Sequence, residues 1–136
     1  MLKIFFASHG NLAKGMEHTL GIIFGKIPNM RTFAAYVDNH DLSTELDNFY
    51  LNEVNEDDEV LLCSDLYGGS VNQIMYRYLN HKNTRLVTGV NLAFLLEIAT
   101  VENLNDKTLK EVIDHSREFL CEVRQDKTEV LDDEFF

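Results

Sequence analysis

Two apolar runs in this chain end in residues able to handle a charged group. Leu2-Lys3-Ile4-Phe5-Phe6-Ala7 leads into Ser8-His9-Gly10, and Val60-Leu61-Leu62-Cys63 leads into Ser64-Asp65-Leu66-Tyr67-Gly68-Gly69-Ser70. Read as buried strands, both deliver a polar residue to their carboxyl ends, the edge where parallel α/β sheets place their chemistry. Imidazole is a usable nucleophile near neutral pH without a strong base. Its phosphoramidate bond is labile, so a phosphoryl group taken up by His9 can move on. A nucleophilic imidazole needs its other ring nitrogen held, and a carboxylate does this while fixing tautomer and orientation. Asp65 is the candidate, although an aspartate beginning a turn is common. Gly68-Gly69-Ser70, with Val71 next, opens a helix whose free N–H groups and positive dipole end would cradle a phosphoryl group. A lone Gly-Gly-Ser is equally a turn and helix cap. Combined with His9 and Asp65 at one sheet edge, it points to a site that carries a phosphoryl group.

Other chemistries find less support. Ser8 adjoins His9, but adjacent strand residues point to opposite faces, and no Gly-x-Ser-x-Gly elbow surrounds Ser70. Gly-x-Gly-x-x-Gly is absent after the first strand, which argues against a dinucleotide site. A receiver-type signalling module needs an acidic pair after its first strand to hold magnesium, and Ser8-His9 stands there, although Asp65 sits where a receiver's phosphoacceptor would. Thr88-Gly89-Val90-Asn91-Leu92 follows a fourth strand, and Asn91 reads as a helix cap. His18, His40, His81 and His115 lack a glycine-rich or carboxylate context and read as surface or packing residues. No spacing of cysteines or histidines suits a metal, and no cofactor is expected.

The elements that must position these residues alternate. Short apolar runs at Ile4 to Ala7, Phe33 to Val37, Val60 to Cys63 and Leu86 to Thr88 suit strands covered on both faces. Helical stripes lie between them: Leu12, Met16, Leu20, Ile23 and Phe24; then Leu42, Leu46, Phe49 and Tyr50; then Ile74, Met75, Tyr78 and Leu79; and last Leu109, Val112, Ile113, Ser116 and Leu120. Gly25 and Pro28 stop the first helix. Ser70 and Gln73 read as a capping box, and Asn91 caps a short helix over 92–99. Alternating β and α predicts a small doubly wound α/β domain, its sheet mainly parallel with helices on both faces. One domain over 1–136 is expected, with a core over 1–121 and a polar segment over 122–136 that forms a tail, an arm or an edge strand.

The 136 residues can bury a respectable core, and 45% of them are hydrophobic, which excludes a disordered chain. No apolar run approaches the ~20 residues that span a bilayer. No cationic leader with a small-residue cleavage site opens the sequence, and Cys63 and Cys121 read as reduced thiols, so a cytoplasmic protein is expected. A formal charge of -11 disfavours nucleic acid and anionic membranes and suits a basic protein partner.

Together the motifs resemble one family. Ser8-His9-Gly10 with Leu12-Ala13 and Gly15 is similar to the opening of the mannose-type IIA domains of the bacterial phosphoenolpyruvate-dependent sugar phosphotransferase system. Asp65-Leu66-Tyr67-Gly68-Gly69-Ser70, then Thr88-Gly89-Val90-Asn91-Leu92 and Leu95-Leu96-Glu97, are similar to its other two signatures. The resemblance implies that HPr passes a phosphoryl group to His9, which hands it to a IIB protein and thence to sugar entering through membrane IIC and IID subunits. It implies that Asp65 holds the imidazole and that the loop around Ser70 cradles the phosphoryl group. It implies a homodimer exchanging an antiparallel C-terminal edge strand, a role for the segment after Cys121. Val71 and Ala93 stand where the family often has proline. A related phosphocarrier, which delivers phosphate to a dihydroxyacetone kinase, shares this type of histidine site and remains an alternative.

Overall fold

The structure is a computed structural model and describes residues 1–125. Four parallel strands form one sheet: β1 (Leu2–His9), β2 (Met30–Ala35), β3 (Glu59–Ser64) and β4 (Thr84–Thr88), in spatial order β2-β1-β3-β4. The helices are α1 (Leu12–Phe24), α2 (Leu42–Asn52), α3 (Ser70–Tyr76), α4 (Leu92–Ile98) and α5 (Asp106–Arg117), with a 3-10 turn over Arg77–Asn80 after α3. This is the predicted doubly wound α/β architecture.

Strand alternation divides the core in two. Ile4 and Phe6 of β1, with Leu61 and Cys63 of β3, face α1, α4 and α5 through Ala13, Leu20, Phe94, Leu95, Ile98 and Val112. Phe5 and Ala7, with Val60 and Leu62, face α2 and α3 through Leu42, Leu46, Phe49, Val71 and Met75. Both faces being buried explains why these strands read as nearly continuous apolar runs. The same parity decides what the end of β1 does. Ser8 falls on the α1 side, where its buried Oγ accepts the Ala13 N–H at 2.7 Å in the first turn of α1. His9 falls on the side from which α3 begins.

Several expectations shift. β2 lies earlier than the run Phe33 to Val37 suggested: Tyr36 and Val37 have left the strand and are exposed. In the first stripe Leu20 is buried and Met16 half-buried, but Leu12, Ile23 and Phe24 are largely exposed. Leu79 leaves its stripe where α3 tightens into the 3-10 turn, and Leu120 lies beyond the end of α5, exposed. Cys121 follows α5 and is exposed, Cys63 is buried, and neither is in a disulfide. Residues 122–125 have no regular structure, and the remainder of the expected arm or exchanged strand lies outside the described residues. Among the described residues, no helix is long and apolar enough to cross a membrane.

Candidate functional site

The strand order places β1 between β2 and β3, with α1 leaving β1 on one face and α3 following β3 on the other. A crevice outside the carboxyl ends of β1 and β3 follows from that switch, and such crevices are where open α/β sheets bind ligands. His9 ends β1 on one side of it, and Asp65 follows β3 on the other.

The structure brings the two together. Asp65 Oδ2 accepts the backbone N–H of His9 at 2.8 Å and lies 2.9 Å from His9 Nδ1. One oxygen therefore fixes both the strand end and the ring. A carboxylate accepts only, so Nδ1 carries the proton in the neutral ring and Nε2 presents its lone pair. The Asp65 side chain is 10% exposed, whereas that of His9 is 40% exposed. The carboxylate is thus shielded while the imidazole remains partly accessible. Burial pushes the Asp65 carboxyl upward, but hydrogen bonds from the His9 backbone and side chain outweigh it and hold the group below its ordinary range. Asp65 Oδ1 is buried without a hydrogen-bond partner. The carboxylate's charge lies against the imidazole and favours a ring that becomes cationic on substitution at Nε2.

The Gly68-Gly69-Ser70 loop closes over the ring. A Cβ on Gly69 would lie 3.1 Å from His9 Cε1 and 3.3 Å from the Leu66 carbonyl oxygen, so a side chain there would make the ring or the loop give by a few tenths of an ångström. Gly68 has φ +75°, a left-handed turn conformation suited to glycine, and its carbonyl accepts from Gln73 Nε2 at 2.8 Å. Gly69, not Ser70, is the cap of α3. The expected capping box is absent because the Ser70 hydroxyl is engaged elsewhere, 3.2 Å from His9 Nε2. Val71 turns its side chain into the core, where it is fully buried, so its backbone N–H is all it can offer the crevice. Beneath the loop, the buried Ser64 Oγ lies 3.0 Å from Asn72 Oδ1 and 2.7 Å from Thr88 Oγ1, which ties α3 to the ends of β3 and β4.

Tyr36 is the neighbour that sequence reasoning missed. Ala35 pairs with His9 in the β1–β2 register, so the next residue emerges beside the imidazole. Its hydroxyl lies 2.6 Å from Ser70 Oγ, and its ring centroid lies 5.6 Å from that of His9. The available signal was an aromatic residue at the end of a strand adjacent to β1.

The other sequence candidates lie elsewhere. Asn91 Oδ1 accepts the Phe94 N–H at 2.8 Å and caps α4 as expected, while its Nδ2 donates to the Ser116 carbonyl and binds α4 to α5. His40 is 2.8 Å from Asp38, His81 stacks on Tyr50 with ring centroids 4.0 Å apart, and His115 is 2.9 Å from Glu97. None of the four reaches the crevice. Among the described residues, no group of three or more His, Cys, Asp and Glu side chains is arranged to hold a metal ion.

An open α/β sheet thus carries, at its switch point, a half-exposed histidine held by a carboxylate. Residues 3–116 match the EIIA-man family model, the PTS system fructose IIA component, and the chain belongs to that family. Membership implies a phosphocarrier role in a sugar phosphotransferase system. Solved structures agree. A Klebsiella pneumoniae protein assigned to a phosphoenolpyruvate-dependent sugar phosphotransferase system permease is 28% identical, with 89% of this chain and 90% of that one covered at a TM-score of 0.79. A Streptococcus pneumoniae PTS IIA protein associated with a fucose utilization operon is also 28% identical, with coverage of 89% and 92% and a TM-score of 0.70. The mannose/sorbose specific IIA subunit from Enterococcus faecalis is 20% identical, with coverage of 93% and 98% and a TM-score of 0.77, a likeness of fold.

Proposed function

We propose that this chain is a single-domain IIA phosphocarrier, acting in the cytoplasm, which accepts a phosphoryl group from HPr on Nε2 of His9 and delivers it to a IIB protein. The observation that carries the reading is the division of labour on one imidazole: Nδ1 is held by the shielded Asp65 carboxylate, and Nε2 faces the glycine-rich loop and solvent. In the forward step the Nε2 lone pair forms the bond to phosphorus, and the donor's bond to phosphorus breaks with its electron pair leaving on the donor. Positive charge that develops on the ring lies against Asp65. Ser70 Oγ, and the backbone N–H groups of Ser70 and Val71, are the donors available to the phosphoryl oxygens; the Gly69 N–H is already given to the Leu66 carbonyl at 3.1 Å. Delivery reverses the step: the Nε2–P bond breaks as the acceptor's nucleophile bonds to phosphorus. A homodimer is expected from the family pattern, with the segment beyond Cys121 exchanged between subunits.

Reconstitution tests the reading. Phosphoenolpyruvate, enzyme I and HPr should load one acid-labile phosphoryl group onto the wild type and none onto His9→Ala, read by intact-protein mass spectrometry at neutral or alkaline pH. Loss of that group on adding a IIB protein completes the assignment. Loss only to a dihydroxyacetone kinase subunit would replace the acceptor, and no loading of a folded protein beside a working control would overturn the carrier role.

A further inference from the structure

The neighbourhood of Nε2 contains a second hydroxyl. Tyr36 has φ +66°, a left-handed conformation that a bulky non-glycine residue adopts at a cost of about 1–2 kcal/mol. Such outliers persist where the surrounding structure holds them and the geometry is used. Here the effect is to bring the phenol over the crevice, its hydroxyl 2.6 Å from Ser70 Oγ.

The partners set the direction of the proton chain. Asp65 accepts the Nδ1 proton, so neutral His9 presents a lone pair at Nε2. Ser70 Oγ, 3.2 Å away, can then only donate to it. With its single proton committed, Ser70 accepts from Tyr36. The chain runs from Tyr36 O–H to Ser70 O–H to His9 Nε2, and from His9 Nδ1–H to Asp65. When Nε2 bonds to phosphorus its lone pair is consumed, and the Ser70 proton must find another acceptor. The nearest new acceptors are the phosphoryl oxygens. A bond to those anionic oxygens is stronger than the long contact with a neutral nitrogen, and a hydroxyl that itself accepts a hydrogen bond is the better donor.

We propose that Tyr36 is a positioning residue for the phosphorylated state: its hydroxyl holds Ser70 Oγ so that Ser70 donates to the phosphoryl group on His9. This rests on His9 being the carrier. Tyr36 acts through Ser70, and Tyr36→Phe removes only the hydroxyl while keeping the ring and the backbone turn.

The experiment is a double-mutant cycle on the equilibrium between phosphorylated HPr and this protein, comparing wild type, Tyr36→Phe, Ser70→Ala and the double variant. Loss of one net hydrogen bond should lower the phosphorylated fraction's equilibrium constant by about two- to tenfold in Tyr36→Phe. In the Ser70→Ala background, Tyr36→Phe should change nothing further. Equal effects in both backgrounds would show that Tyr36 acts on the fold or directly, and would overturn the proposal, as would an unchanged equilibrium in Tyr36→Phe. A nitrogen NMR spectrum of the unphosphorylated protein reads the same chain independently of phosphorylation. The Nε2 resonance of His9 should move in Tyr36→Phe while Nδ1 stays, and an unmoved Nε2 would refute the chain. A wild type that takes no phosphoryl group, with the NMR shift present, would instead overturn the carrier reading and with it the role given to Tyr36.

Discussion

Replacing Asp65 by asparagine tests the carboxylate's role with almost no change of shape. Oδ2 takes two donors, the His9 N–H and Nδ1–H, while Oδ1 is buried with no partner. With its oxygen kept at the Oδ2 position, the ring bond survives without its charge. With the amide flipped, NH2 faces two donors, and the ring relieves the conflict only by moving its proton to Nε2, which removes the nucleophilic lone pair. Either outcome loses a charge-assisted hydrogen bond, about 1.5–3 kcal/mol, or roughly 10- to 150-fold in rate. Rapid-quench phosphorylation of His9 by phosphorylated HPr measures it directly. Asp65→Ala should also slow transfer without unfolding the domain. The pH dependence has a definite sign. Asp65 is held below its ordinary range in the fold, so its stabilising contribution is fully present above about pH 4 and lost as pH falls through the lowered folded value. The stability difference between wild type and Asp65→Asn should therefore shrink on acidification below that point. An Asp65→Asn protein that accepts phosphate at the wild-type rate would refute the reasoning.

Three further predictions concern other contacts. Gly69→Ala keeps a backbone acceptable to alanine, φ -67° and ψ 167°, but pushes its methyl against the His9 ring; thermal stability should change by less than about 1 kcal/mol while phosphorylation slows about tenfold, and an unchanged rate would show that the ring yields freely. Glu97 raises the pKa of His115 by a hydrogen bond and by charge, so their pairing is fully present below the usual histidine value of about 6.5 and is lost as pH rises through the raised folded value; Glu97→Gln should return the His115 midpoint toward that value in an NMR titration. Burial pushes the Cys63 thiol far above its usual range, whereas Cys121 is exposed, so a thiol reagent should modify one cysteine in the folded protein and two in denaturant.

What was legible in the sequence follows from what is local. β1 and β3 were visible because both faces are covered and the apolar runs are unbroken, and His9 and Asp65 were visible because each interrupts such a run at its end. The close approach of Gly69 was foreshadowed by the adjacent glycines. Tyr36 was hidden for a tertiary reason. Phe33-Ala34-Ala35-Tyr36-Val37 reads as one apolar strand, and only the register pairing Ala35 with His9 shows that Tyr36 has already left the sheet. Ser70 was read as a cap because serine before a helix usually is one; its hydroxyl turns instead toward His9 and Tyr36, partners that local pattern does not contain. The last helical stripe fails at Leu120 for a plainer reason: α5 has already ended at Arg117.

The most direct test of the central claim is the position of phosphate on the ring. Nitrogen-15-labelled protein, phosphorylated by HPr and examined by phosphorus–nitrogen correlation NMR at alkaline pH, should show phosphorus bonded to Nε2 of His9 with Nδ1 still protonated against Asp65. Phosphorus on Nδ1, or on any other residue, would contradict the account.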